Sequence, residues 1–231
     1  MILDESAFSD IDDAAVEAEM LDVIYKGSDN RPAWIGGCVP RTSVEGLRSH
    51  AKWAINHRTL YLNFVSEYVE RLGNVLDIGC GAGQNTAMLS RYANGVTGID
   101  SDEKAITFAR KYNESPGVKF VHGKFPACAV WGDSFDYIFC VETMEHVAYD
   151  EQEEFIDKAV LMLRDGGYLF ITTPREDSAS APHIGVWSPF WTEKMKKRFA
   201  ANVVAHWYVD NTQGKTTVDA EIRHHALVMQ R

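Results

Sequence analysis

From residue 74 to about residue 175, short apolar runs alternate with stretches of helical period. Val75–Ile78, Val96–Asp100, Val118–His122, Phe135–Val141 and Tyr168–Thr173 are brief, rich in β-branched and aromatic side chains, and read as buried strands. Between them, Gln84–Arg91, Asp102–Tyr112 and Asp150–Leu163 space their apolar residues by three and four. Ala105, Ile106 and Ala109 mark the inward face of the second, and Phe155, Ile156, Ala159, Val160 and Leu163 that of the third. Strands alternating with helices at this spacing predict an α/β fold: a parallel sheet covered on both faces. The alternation then stops. After a short helix predicted over Pro189–Phe199, Val203–Val209 and Glu221–Met229 are separated only by the polar stretch Asp210–Thr217. That arrangement predicts a hairpin, so the sheet ends in antiparallel pairing.

Upstream, Ile11–Tyr25 reads as a helix, with Ala14, Ala15, Ala18, Leu21 and Ile24 on one face. Lys26–Thr42 is a loop bearing glycine, proline and Trp34. A long helix then runs from a cap at Thr42 or Ser43 to about Leu72, carrying His50, His57, Arg58 and Tyr61. The expected organisation is an N-terminal helical, lid-like extension over residues 1–72 and a ligand-binding domain over 73–231, together one structural domain.

Composition changes this picture little. The 231 residues suffice for a single large core. No run of about 18 apolar residues exists, and the start lacks a basic segment followed by an apolar one. Cys38, Cys80, Cys128 and Cys140 are scattered without a C-x-x-C pair, as buried thiols in a reducing compartment would be. A cytoplasmic location with no membrane span is the expectation. Of the net charge of −10, most comes from residues 1–25, which hold eight acids and no base. An acidic chain releases no counterions from a duplex, which disfavours nucleic acid as partner. The basic cluster Lys194–Arg198 reads as a solvated helix face.

Candidate chemistry concentrates where the first strand ends, in Asp77-Ile78-Gly79-Cys80-Gly81-Ala82-Gly83-Gln84. Strand, glycine turn and helix open a nucleotide-binding unit, because glycine admits positive φ and close approach of a ligand to the main chain. The pattern is not a phosphate-cradling loop, since no Lys-Ser or Lys-Thr follows the glycines. Nor does it fit the dinucleotide fingerprint, which needs Gly or Ala where Gln84 stands. A carboxylate at the strand end, Asp77, would repel a pyrophosphate and suits a ligand carrying an ammonium group. Asp100, at the end of the second strand, can accept two hydrogen bonds from a ribose diol.

Val75–Gly83, Val96–Asp100, Phe135-Asp136-Tyr137-Ile138, Glu142-x-x-Glu145-His146-Val147 and Leu163–Gly167 resemble, in order and spacing, the motifs of class I S-adenosylmethionine-dependent methyltransferases. The resemblance covers residues 74 to 175. It implies a Rossmann-like fold with a mostly parallel seven-stranded sheet and a C-terminal antiparallel hairpin. It implies S-adenosyl-L-methionine as cofactor, held by Asp77, Gly79, Cys80, Gly81, Asp100, Ser101, Phe125 and Val141. Many relatives place an Asp after the third strand to contact adenine. This chain has His122-Gly123-Lys124-Phe125, which leaves adenine to main-chain groups and Phe125.

A hydroxyl acceptor must lose a proton, which needs a base or a metal. Glu142, Glu145 and His146, at i, i+3 and i+4, would share one face of a helical turn. His146 and Glu145 are the candidate catalytic pair. Glu-x-x-Glu-His also resembles the metal-holding element of small-RNA 2′-O-methyltransferases and some ubiquinone-pathway O-methyltransferases. On that resemblance Glu142, Glu145, His146 and His183 would hold a divalent ion such as Mg²⁺, Mn²⁺ or Zn²⁺. Acceptor recognition falls to the Lys26–Thr42 loop, the His50–Tyr61 helix and the Glu176–Trp187 segment, with Trp34, Tyr61 and Trp187 as candidate stacking surfaces. The expected function is methyl transfer to a hydroxyl of a small molecule or sugar. N-methylation of a small amine, a nicotinamide-dependent oxidoreductase and a non-catalytic cofactor-binding regulator are the alternatives, and Gln84 and Asp77 oppose the oxidoreductase.

Overall fold

Strand β1 (Asn74–Ile78) lies at the middle of the sheet and is buried from Val75 onward. The structure is a computed structural model that describes residues 58, 60–71, 73–128, 134–174, 184–210, 214–216 and 224–231. Its other strands are β2 (Gly95–Asp100), β3 (Val118–His122), β4 (Phe135–Val141), β5 (Leu163–Pro174), β6 (Val203–Asp210), β7 (Gly214–Thr216) and β8 (His224–Gln230). The helices are α1 (residues 60–68), α2 (Gln84–Leu89), α3 (Glu103–Tyr112), α4 (Tyr149–Met162) and α5 (Pro189–Arg198). Strand order is β3-β2-β1-β4-β5-β8-β6-β7. The first five strands pair in parallel, and β8 enters antiparallel to both β5 and β6. The expected seven-stranded arrangement is therefore present. The difference is β7, a three-residue edge strand inside the polar stretch after β6, which makes the sheet eight-stranded.

Both faces of the sheet are covered, so the central strands are apolar on both sides; all seven residues of β4 are buried. On one face α4 and α5 pack Phe155, Ile156, Ala159, Met195 and Phe199 against Ile138, Leu169 and Leu227. On the other, α1 lays Leu60, Tyr61, Phe64 and Val65 onto Phe139, Phe170 and Val228. Phe64 and Phe170 stack with ring centroids 4.6 Å apart. Burying each such ring contributes about 2–3 kcal/mol, and this anchors α1 to the sheet. Residues 1–57 of the expected N-terminal extension lie outside the described residues.

Arg164–Gly167, read from sequence as a turn, is the start of β5 instead, with Gly166 at φ +78°. At the amino ends of the strands Asp136 accepts from the Asn74 N–H at 2.8 Å, Arg164 at 2.9 Å and Arg71 at 3.2 Å. Asp136 thus belongs to the edge opposite the glycine loop and closes the bottom of the sheet.

Candidate functional site

The carboxyl ends of β1, β2, β4 and β5 and the start of β8 meet along one edge, where an open α/β sheet binds its ligand. The glycine loop takes left-handed backbone at Gly79 (φ +77°), Gly81 (+55°) and Gly83 (+85°), which only glycine adopts at low cost. Gly79 is also pressed against the edge, since a Cβ there would stand 2.1 Å from the Thr143 Oγ1. Gly81 differs: a Cβ on it would meet nothing within 4 Å, so its face of the loop is open. Asn113 ties the loop to α3 by donating to the Ala82 carbonyl at 2.7 Å.

Asp77 is fully buried directly before the loop. The Tyr61 hydroxyl donates to its Oδ1 at 2.7 Å and the Thr86 hydroxyl to its Oδ2 at 2.6 Å. Burial pushes the Asp77 pKa up to about 6 against the opposing pull of these two bonds, and the nearby Asp100 charge adds to the rise. Tyr61, a candidate stacking surface for an acceptor in the sequence, is buried and turned onto Asp77. Neither this link nor that from Thr86 is visible in the sequence. A tyrosine in a helix 16 positions away carries no local pattern that points to the carboxylate.

Asp100 receives the Gly81 N–H on Oδ2 at 2.8 Å and the Asp102 N–H on Oδ1 at 2.8 Å. Each oxygen keeps a second lone pair for a ligand hydroxyl. Asp102 in turn caps α3 through the Lys104 and Ala105 N–H groups. Cys80 is buried and burial raises its thiol pKa, so it is an inert wall of the loop. Ser101 is exposed beside Asp100, and its carbonyl lies 3.1 Å from the His122 Nε2. Val141 is buried at the end of β4. Phe125 is buried and packs edge-on against Phe155 of α4 at 4.7 Å, so much of its ring is spent on the core.

After β4 the chain turns sharply instead of starting a regular helical turn. Glu142 takes φ +52°, a conformation costing a non-glycine residue about 1–2 kcal/mol. A 3₁₀ turn over Met144–His146 follows. The Thr143 hydroxyl lies within hydrogen-bond reach of the Ile78 carbonyl, 3.1 Å, which locks this turn to the base of the glycine loop. Glu142 accepts from the Thr172 hydroxyl at 2.9 Å and lies 2.9 Å from the His224 Nδ1 of β8. Glu145 is buried, with its Oε2 unpartnered, and burial together with the Glu142 charge holds its pKa well above the carboxylate range. His146 stands half-exposed with Nε2 3.9 Å from the Glu145 Oε1. The two expected catalytic side chains are therefore adjacent, one inside and one at the rim. His224 is an addition that sequence reading missed, because it comes from the far end of the chain.

Among the described residues no group of three His, Cys, Asp or Glu side chains is arranged to hold a metal ion. Glu142 is already engaged by Thr172 and His224, and His183 lies outside the described residues, as do Trp34, His50 and His57. Trp187, expected to stack on an acceptor, is buried instead. Its Nε1 donates to the Gln152 Oε1 at 2.8 Å, and Trp191 Nε1 donates to the same oxygen at 2.6 Å. Gln152 Nε2 reaches the carbonyls of Met144, Val147 and Gly185 at 3.0, 3.0 and 2.7 Å. One buried amide thereby joins α4, the Glu145 turn and the chain entering α5.

Comparison with known proteins agrees with this geometry. Residues 75–167 match the family described as "Methyltransferase domain". A ubiquinone biosynthesis O-methyltransferase of Rhizobium leguminosarum bv. trifolii is 37% identical over 132 residues, covering 53% of this chain and 52% of the relative. A probable S-adenosylmethionine-dependent methyltransferase of Mycolicibacterium smegmatis is 26% identical over 153 residues, covering 66% of this chain and 57% of the relative. The chain thus spans little more than half the length of these curated relatives. Among solved structures, the N-methyltransferase NodS of Bradyrhizobium japonicum, in complex with S-adenosyl-L-homocysteine, superposes with a TM-score of 0.60 at 20% identity, covering 78% of this chain and 87% of that one. No described helix is long and apolar enough to cross a membrane.

Proposed function

We propose that this chain, whose residues 75–167 form a methyltransferase domain of the class I, S-adenosylmethionine-dependent family, transfers a methyl group to a hydroxyl of a small molecule or sugar. The observation that carries the reading is the open Gly81 face, with Asp100 accepting the Gly81 N–H beside it and the buried carboxylate of Asp77 in β1 just before the loop. S-adenosylmethionine, when bound, supplies a methyl carbon on a positively charged sulfonium, which is already activated for in-line displacement. The protein then has to align the acceptor, exclude water and take up one proton, and alignment alone can contribute several kcal/mol, about 7–11 at best. Asp100 is suited to the ribose diol, and Asp77 supplies negative charge beneath the loop for the donor's ammonium end.

Proton removal is assigned to His146. Its ring is half-exposed at the rim, where an acceptor can reach it, and Glu145 lies behind it. Burial and the Glu142 charge hold the Glu145 carboxyl well above the usual carboxylate range, and Glu145 backs His146 from inside the turn. Similarity to the ubiquinone biosynthesis O-methyltransferase supports a hydroxyl acceptor. N-methylation is the second reading, in keeping with the fold shared with NodS.

The test is formation of S-adenosylhomocysteine from S-adenosylmethionine against a panel of phenols, sugars and amines. Turnover with phenols or sugars is expected, and turnover with amines alone would replace the first reading by the second. With a hydroxyl acceptor, His146→Ala should lower kcat by about 10²–10⁴-fold, the range for loss of a general base, while donor affinity stays within about twofold. An unchanged kcat would move the base elsewhere, and His224 beside Glu142 is then the next residue to replace.

A further inference from the structure

We infer that Tyr61 is a positioning residue for the methyl donor: its hydroxyl, with that of Thr86, holds Asp77 oriented and ionised beneath the glycine loop, so that helix α1 sets the affinity for the donor's amino-acid end. This inference rests on the methyltransferase reading and adds a residue outside the methyltransferase domain at residues 75–167. Geometry carries it. Asp77 has no solvent exposure, and each of its oxygens is met by one hydroxyl, at 2.7 Å from Tyr61 and 2.6 Å from Thr86. A buried carboxylate without such donors would take up a proton, because burial penalises the charged form. Only the charged form attracts an ammonium group.

Tyr61 is itself fixed. Its ring stacks on Phe139 of β4 at 5.3 Å, and its neighbours Leu60, Phe64 and Val65 are buried in the same cluster. The hydroxyl therefore cannot swing away without α1 leaving the sheet. The other ionisable groups facing Asp77 are Asp100 from β2, whose charge opposes ionisation, and the thiols of Cys80 in the loop and Cys140 in β4. Burial holds both thiols neutral, so the two hydroxyls are what favour the charged Asp77. With its pKa up at about 6, Asp77 is ionised at pH 7 but has little margin, and loss of either bond would move that pKa upward.

The experiment measures binding of S-adenosylhomocysteine and of 5′-methylthioadenosine by calorimetry from pH 5 to 7.5, for wild type, Tyr61→Phe and Thr86→Val. The first ligand carries the amino-acid end and the second lacks it. For Tyr61→Phe at pH 7, affinity for S-adenosylhomocysteine should fall about three- to tenfold, as expected when losing one donor leaves only about a tenth to a third of Asp77 ionised. Affinity for 5′-methylthioadenosine should change less than about twofold, within the usual effect of a distant change. Lowering the pH should weaken S-adenosylhomocysteine binding in all three proteins, with the midpoint at higher pH in both variants. Thr86→Val keeps side-chain shape and provides the same readout if Tyr61→Phe folds poorly. Equal losses for the two ligands, or an unmoved midpoint in both variants, would overturn the inference while leaving the methyltransferase reading in place. Wild type binding neither ligand would overturn both.

Discussion

Glycines in the loop after β1 do different work although they look alike. Gly79 and Gly81 both need left-handed backbone, which an alanine adopts at a cost of about 1–2 kcal/mol. At Gly79 the added methyl also collides with Thr143, whose hydroxyl joins the β4 turn to β1. At Gly81 the methyl enters open space on the face where the donor would lie. Gly79→Ala should therefore cost about 3 kcal/mol or more and lower Tm by roughly 6–12 °C at about 2–4 °C per kcal/mol. Gly81→Ala should lose only the backbone cost, roughly 2–8 °C on the same scale, yet bind S-adenosylhomocysteine at least about tenfold more weakly, as a methyl group occupies ligand space. Thermal melts and calorimetry on the two variants give this double dissociation. Equal melts with equal affinities would mean that the open face of Gly81 is not where the donor sits.

At the level of elements, the strands and helices between residues 74 and 174 were legible because each has one period and one environment. Buried parallel strands read as apolar runs, and α3 and α4 turn Ala105, Ile106, Phe155 and Ile156 inward at helical spacing. What escaped was contact between elements distant in sequence: Tyr61 on Asp77, His224 on Glu142, Trp187 inside the core. The i, i+3, i+4 spacing of Glu142, Glu145 and His146 predicts a helical turn. The chain there must leave a buried strand and bond back to Ile78, so Glu142 turns left-handed instead. Gln152 is the clearest case of a residue whose role only the tertiary structure reveals. Inside α4 it is one polar residue among many, yet it binds three carbonyls and two indole N–H groups. Gln152→Leu would leave those groups unpaired in the core, at about 1–3 kcal/mol for each one that finds no water. A loss of roughly 3–5 kcal/mol is expected by urea denaturation, together with a lower kcat, since Met144 and Val147 flank the Glu145–His146 turn. A loss under about 1 kcal/mol would show that the five bonds are replaceable.

Across the whole molecule, the edge proposed to bind the ligand is also the edge that costs the fold stability. Asp77 and Glu145 are both buried carboxyls whose pKa values are raised chiefly by burial. Their effect on stability has a definite sign. A carboxyl whose folded pKa lies above its unfolded one binds more protons when folded, so its contribution is most favourable below the unfolded pKa. That contribution is lost as pH rises through the folded pKa. For Asp77 the window runs from 3.8 to about 6. The rise from 3.8 to about 6 corresponds to about 3 kcal/mol of destabilisation above that window. Asp77→Asn keeps the size and can still hydrogen-bond both hydroxyls, because each hydroxyl can rotate to accept as well as donate. The variant should therefore be more stable than wild type at pH 7.5, by about 1–3 kcal/mol, and the gain should shrink to nothing as pH falls through the window toward 4. It should at the same time lose affinity for S-adenosylhomocysteine at pH 7.5, because the negative charge under the loop is gone. Urea denaturation of both proteins across pH 4–8, with calorimetry at the upper end, measures the two effects together. A variant less stable than wild type at every pH would mean that the Asp77 charge is held by the fold for stability and not, against stability, for its ligand.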